Sequence, residues 1–283
     1  YPEIKQDRIA IEKQICELVK NGHDVQLHLH PHWLDAKYVN GNWAFNYERF
    51  SLHSLLKEKN ADDIDTILGC VTITKKLIES IIHKIDENYK VYAFRAGGYL
   101  IEPFNEIREA LLMNEIYVDS SVCPSMKNQN YEFSYNFEKT PRKIKYRFND
   151  NINIINKNGR FIEIPILAVK ISLFRRIYNA IKIRVKYEGL ESGRIGTGSG
   201  ASTRKKDRLL LKVVKFLFKG HYQMLTTDNS FEEKYSYLLN RSKEYSTQIL
   251  HPKLLNAHTL GVLNNKLENK EVRFVTIKDY LNE

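Results

Sequence analysis

The chain has 283 residues, 42% of them hydrophobic and 28% charged, with 44 Lys and Arg against 34 Asp and Glu for a net charge of +10. That composition excludes a disordered or fibrous chain, and its length suits one α/β domain with insertions. No apolar run approaches the ~20 residues that span a bilayer, and the cationic excess favours polyanions, anionic glycans or the negative face of a membrane.

Cys16, Cys70 and Cys123 are an odd number at unrelated spacings, which matches reduced thiols in a cytoplasm. The start, Tyr1-Pro2-Glu3-Ile4, has neither a Met nor a charged leader ahead of an apolar stretch, and reads as trimmed or processed.

In chain order, Ile11, Ile15, Leu18 and Val19 recur at helical spacing and stop at Asn21-Gly22, where glycine can close a helix. From Asp24 to His30 the pattern alternates, with Val25, Leu27 and Leu29 on one face and Gln26, His28 and His30 on the other. That is a strand with two histidines facing one way. The spacing then predicts a long helix near Asp65 to Asp86, a strand at Val91 to Phe94, a helix near Pro103 to Met113 and a strand at Ile116 to Val118.

Further strands are expected at Phe161 to Ile166, Gln223 to Thr226, Gln248 to Leu250 and Phe274 to Thr276. Alternation of this kind predicts βαβ units around a parallel sheet. Two insertions interrupt it. Residues 126–159 are rich in Asn, Lys and Tyr with little periodicity, and 187–205 contain the glycine-rich stretch Ser192 to Gly200. The latter lacks the lysine of a phosphate-binding loop and reads as a flexible loop.

Reacting groups in parallel α/β folds gather at the carboxyl ends of strands. His28, His30 and His32 stand at the end of one strand, Arg95 ends the next, and Gly97-Gly98-Tyr99 follows where two glycines admit close backbone approach. Asp119, Asp228 and His251 end three more. Neutral imidazoles on one side of a strand end are the donors that zinc and similar divalent ions take. Singly, Arg95 suits an ion pair and Asp119 a turn cap, while Asp228, before Asn229-Ser230, reads as a helix cap. Lys170 to Tyr187 interleaves Arg and Lys with Leu, Ile and Phe, and suits equally a helix packed on the domain and one lying on an anionic membrane.

The order His28-x-x-x-His32, Phe94-Arg95-Ala96-Gly97-Gly98-Tyr99, Asp119-Ser120-Ser121 and Ile249-Leu250-His251-Pro252 resembles the polysaccharide deacetylases of the NodB homology domain, carbohydrate esterase family 4. The wording His-Leu-His-Pro-His-Trp is similar to the WalW-like subgroup. The resemblance spans Gly22 to Tyr280 without the two insertions.

It implies a single domain over residues 1–283, folded as a distorted (β/α) barrel of about seven strands whose first strand is missing and expected upstream of Tyr1. It also implies a divalent metal, zinc being the expected ion, on His28 and His32 with His30 as a third ligand or a neighbour. Arg95 would hold the catalytic carboxylate, Gly97, Gly98 and Tyr99 would line the sugar site, His251 would act as general acid, and Asp119 would orient it. The family's Asp-Asp pair, which supplies a ligand and the general base, has no counterpart before His23.

The implied activity is hydrolysis of an acyl group, N-acetyl above all, from an amino sugar of a glycan or lipid-linked glycan. The expected location is cytoplasmic, with peripheral contact to an anionic membrane and no nucleic-acid partner. A glycan-binding barrel without turnover, or a barrel metallohydrolase acting on another amide or ester, are the competing readings.

Overall fold

The computed structural model describes residues 2–40, 42–129, 134–186, 222–228, 230–242, 245–255, 257–269 and 272–283. The glycine-rich stretch and the expected insertion at 187–205 lie outside the described residues. Helix α1 (Pro2–Lys20) ends as its sequence requires: Gly22 takes φ 82°, and the His23 and Gly22 amides bond back to the Leu18 and Val19 carbonyls at 3.0 and 2.9 Å. This double return satisfies carbonyls at the helix end and turns the chain into strand β1 (Leu27–Leu29).

A short antiparallel pair follows, β2 (Lys37–Val39) and β3 (Asn42–Ala44), then helix α2 (Ile67–Ile82), capped by the Thr66 hydroxyl on the Gly69 amide at 2.9 Å. Strand β4 (Ala93–Ala96), helix α3 (Phe104–Met113) and strand β5 (Val118–Asp119) come next.

Residues 126–159 are more regular than expected. They contain an antiparallel pair, β6 (Lys127–Gln129) and β7 (Ser134–Asn136), and strand β8 (Tyr146–Phe148). The chain continues through β9 (Phe161–Glu163), β10 (Ala168–Lys170), helix α4 (Leu173–Lys186), β11 (Tyr222–Met224) and helices α5 (Glu232–Leu239), α6 (Ala257–Glu268) and α7 (Ile277–Asn282).

The main sheet has the order β1-β4-β5-β9-β8, with the first four strands parallel and β8 antiparallel to β9. The fold is therefore α/β with a parallel-strand sheet. Beyond β9, backbone bonds extend the neighbourhood from Leu225 to Leu167 at 2.7 Å and from Ile249 to Leu225 at 3.1 Å. Among the described residues the sheet does not close into a ring. Gln248 to Leu250 forms no ladder beyond the neighbouring bridge at Thr247, and Phe274 to Thr276 is extended without one. Thr276 serves instead as the capping box of α7 with Asp279.

One apolar cluster runs beneath the sheet. Phe104 packs edge-on against Phe148 and Phe161, both with centroids 4.7 Å away, and all three are fully or nearly fully buried. Each such ring contributes roughly 2–3 kcal/mol of burial. Together they fix the sheet whose upper rim carries the polar residues.

Candidate active site

Parallel pairing sets His28 of β1 beside Arg95 of β4, and Asp119 of β5 beside Glu163 of β9. The His28 Nδ1 lies 2.8 Å from the Arg95 carbonyl oxygen, so this nitrogen carries the proton and Nε2 keeps its lone pair. The edge of the ring reaches solvent, yet the protein packed around it and the charge of Arg95 push its pKa down to about 4. His28 is therefore a neutral imidazole at neutral pH.

Strand parity brings His30 to the same side, and its Nε2 stands 3.1 Å from that of His28. Two ligands about 2.1 Å from one tetrahedral zinc would be roughly 3.4 Å apart. The pair fits a divalent ion that takes imidazole. Among the described residues, no three His, Cys, Asp or Glu side chains group as a set able to hold one.

His32 follows closely, its ring edge-on to that of His30 with centroids 5.4 Å apart. It sits on the short helix Pro31–Trp33, almost fully buried, and stacks on Phe50 at 4.6 Å with the rings 7° from parallel. Tyr47 covers it as well. His30 thus stands between the other two imidazoles, its Nε2 at that of His28 and its ring against His32, the two histidines that the family spacing pairs.

Gly97 explains how His30 finds its place. A Cβ on residue 97 would lie 2.4 Å from the Leu29 carbonyl oxygen and 2.8 Å from the His30 ring. Only glycine lets the β4 turn pass so close. Gly98 and Tyr99 then both take positive φ, 62° and 66°, a conformation uncommon for tyrosine. The turn aims the Tyr99 hydroxyl at Met224 Sδ, 3.6 Å away, and burial raises its pKa. Among the described residues no hydrogen bond or ion pair engages the half-buried Arg95 guanidinium.

His251 has a partner that the sequence reading assigned differently. The Asp228 carboxylate accepts from His251 Nδ1 at 2.6 Å with one oxygen and from the His251 amide at 3.0 Å with the other. Asp228 is the residue that orients His251, so its reading as a plain helix cap is corrected. The backbone brings the two together: the Ile249 amide bonds to the Leu225 carbonyl, and the extended segments that follow carry 228 and 251 side by side.

Asp119, expected in the orienting role, is fully buried and used otherwise. Its oxygens accept from the Ser121 amide at 3.0 Å and hydroxyl at 2.7 Å, and it faces Glu163. Burial raises both carboxyls, Glu163 far above the usual range with Asp119 adding to the shift. Two carboxyls in that position share a proton. Ser121 Oγ also accepts from the Ala96 amide at 2.8 Å, which ties β5 to the end of β4. Asp119 is a frame for the rim.

An aromatic platform adjoins the histidines. Trp33 lies 6.2 Å from Trp43 and 4.7 Å from Phe45, Trp43 meets Tyr38 at 5.3 Å, and the two indoles and Tyr38 are each about half exposed. The sequence signal for it was Asn40-Gly41, a hairpin dipeptide flanked by Tyr38 and Trp43, and Asn40 takes the positive φ such turns require. A separate cavity of about 670 Å³, lined by Ile164, Leu225, Tyr235, Gln248 and Tyr280, contains none of the candidate residues.

No family model, curated protein or solved structure matches this chain.

Proposed function

We propose that the chain is a metal-dependent hydrolase that removes an acyl group, N-acetyl above all, from an amino sugar of a glycan or lipid-linked glycan. The observation that carries this reading is one rim holding both an imidazole pair, His28 with His30, and a further histidine clamped by a carboxylate, His251 with Asp228. Metal ligation and proton delivery are the two capacities that amide hydrolysis asks of such a site. The sheet is read as part of a distorted (β/α) barrel, supported by the backbone bonds that carry its order past β9 to Leu225 and Ile249.

On this reading His28 and His30 hold a divalent ion, zinc being the best match to imidazole donors. When bound, such an ion lowers the pKa of a water and polarises an acyl carbonyl. The Asp228 carboxylate accepts from His251 Nδ1 and so fixes the ring and its tautomer, which leaves Nε2 as the nitrogen that hands a proton to the departing sugar amine. Arg95 offers its charge to a carboxylate or to the acyl oxygen. Trp33, Trp43 and Tyr38 present flat apolar faces with polar edges, a surface on which pyranose rings stack.

Elemental analysis of the purified chain, followed by acetate release from N-acetylglucosamine oligosaccharides, tests the reading. Near-stoichiometric zinc lost in His28→Ala, together with acetate release, is the expected result. Absence of both from the wild type would overturn it. The glycan-binding alternative draws on the lack of a third ligand among the described residues; it predicts oligosaccharide binding with neither metal nor acetate.

A further inference from the structure

Helix α4 presents its apolar ridge to the outside. Phe174 is 84% exposed, Ile181 58% and Tyr178 47%, and their spacing of four and three residues puts them on one line along the helix. The flank beside it meets the protein: Asn179 is buried, Arg175 donates to the Glu233 carbonyl at 3.3 Å, and Lys182 pairs with the Glu233 carboxylate at 2.6 Å and reaches the Tyr178 hydroxyl at 3.2 Å. Helices of water-soluble domains ordinarily turn such a ridge inward.

The charge on the same helix is one-sided. Leu173–Lys186 contains five basic residues, Arg175, Arg176, Lys182, Arg184 and Lys186, and no acidic one. An apolar line accompanied by Arg and Lys, where no helix among the described residues is long and apolar enough to cross a bilayer, is the pattern of a helix lying in the plane of an anionic membrane surface. Arg175 and Lys182 are held by Glu233, yet the helix sequence stays net basic, and a net basic segment is drawn to an anionic lipid surface as the ridge enters the acyl boundary. A soluble polyanion would meet the same charges but leave Phe174 and Ile181 in water.

We infer that α4 docks the protein on an anionic bilayer, with Phe174, Tyr178 and Ile181 inserted at the headgroup boundary. The helix begins three residues after β10, whose partner β11 carries Met224 against the Tyr99 hydroxyl. Docking there sets the candidate site beside the membrane surface, where a substrate carried on a lipid would be met. The inference stands on the helix alone and does not require the hydrolase reading.

Cosedimentation of the full chain with vesicles tests it, using phosphatidylcholine alone and an equal mixture of phosphatidylcholine and phosphatidylglycerol. At low salt, partition into the anionic vesicles is expected to exceed that into neutral ones by roughly tenfold or more. The double variant Phe174→Ser, Ile181→Ser, with an unchanged circular dichroism spectrum, is expected to lose about tenfold or more of the anionic partition. Failure of the wild type to sediment with anionic vesicles overturns the inference. Equal sedimentation of wild type and double variant also overturns it, since charge alone would then account for the binding.

Discussion

Replacing Asp228 with Asn leaves the shape of the His251 clamp but reverses the polarity of one arm. The His251 amide still needs an acceptor, so the Asn oxygen must face it, which turns the amide NH2 toward Nδ1. Nδ1 must then accept instead of donate, which sets the ring in the other tautomer and takes the lone pair from Nε2. A hydrogen bond to a carboxylate contributes about 1.5–3 kcal/mol, and losing the 2.6 Å bond at Nδ1 together with the tautomer it fixes corresponds to roughly 10- to 150-fold in turnover. Acetate release from N-acetylglucosamine oligosaccharides should show kcat down by about 100-fold with KM little changed, and zinc content should stay at the wild-type level. Full activity in Asp228→Asn, or loss of zinc along with activity, would refute the assignment.

Other substitutions separate roles that the sequence placed together. His30→Ala should weaken zinc binding by about tenfold or more because it removes the imidazole beside His28 Nε2. His32→Ala should cost about 2 kcal/mol of stability in thermal melts through the lost stack on Phe50, and lower zinc content as well, since its ring also supports His30. Gly97→Ala should force apart the Leu29 carbonyl and the β4 turn at a cost of about 1–3 kcal/mol, with a fall in zinc affinity measured by competition with a chelator. Glu163 has a folded-state pKa raised above the unfolded ~4.3, so its contribution is greatest below that value and is lost as pH rises toward the folded one, by up to about 1.4 kcal/mol per unit. Melting temperature should therefore decline between pH 5 and 8 in the wild type, and decline less in Glu163→Gln.

Much of the architecture was legible because period and punctuation agreed with packing. The alternation from Asp24 to His30 put His28 and His30 on one face, and the two Nε2 atoms meet there. Asn21-Gly22 closed α1 as expected. Asp228 was misread because Asp before Asn-Ser caps helices often, and a local pattern cannot reveal a partner 23 residues away. Asp119 was misread for the converse reason: strand ends look alike in sequence, and only the neighbouring Glu163 makes this one a buried shared-proton pair. The barrel expectation rested on counting strands, two of which, near Gln248 and Phe274, make too few backbone bonds to form ladders. The outward ridge of α4 was beyond reach, because periodicity reports that a helix has an apolar face but not which way it turns.

The tether between the His28 ring and the Arg95 carbonyl makes the rim stiff in one direction and compliant in another. His28 is bound to β4 twice, by strand pairing and through its own imidazole, so its position follows the sheet and cannot drift without breaking the ladder. The aromatic hairpin of β2 and β3 pairs only with itself and lies outside that sheet. On the hydrolase reading proposed above, fitting to differently shaped sugars falls to Tyr38 and Trp43 while His28 keeps its place: one side of the mouth is an anvil and the other a hinge.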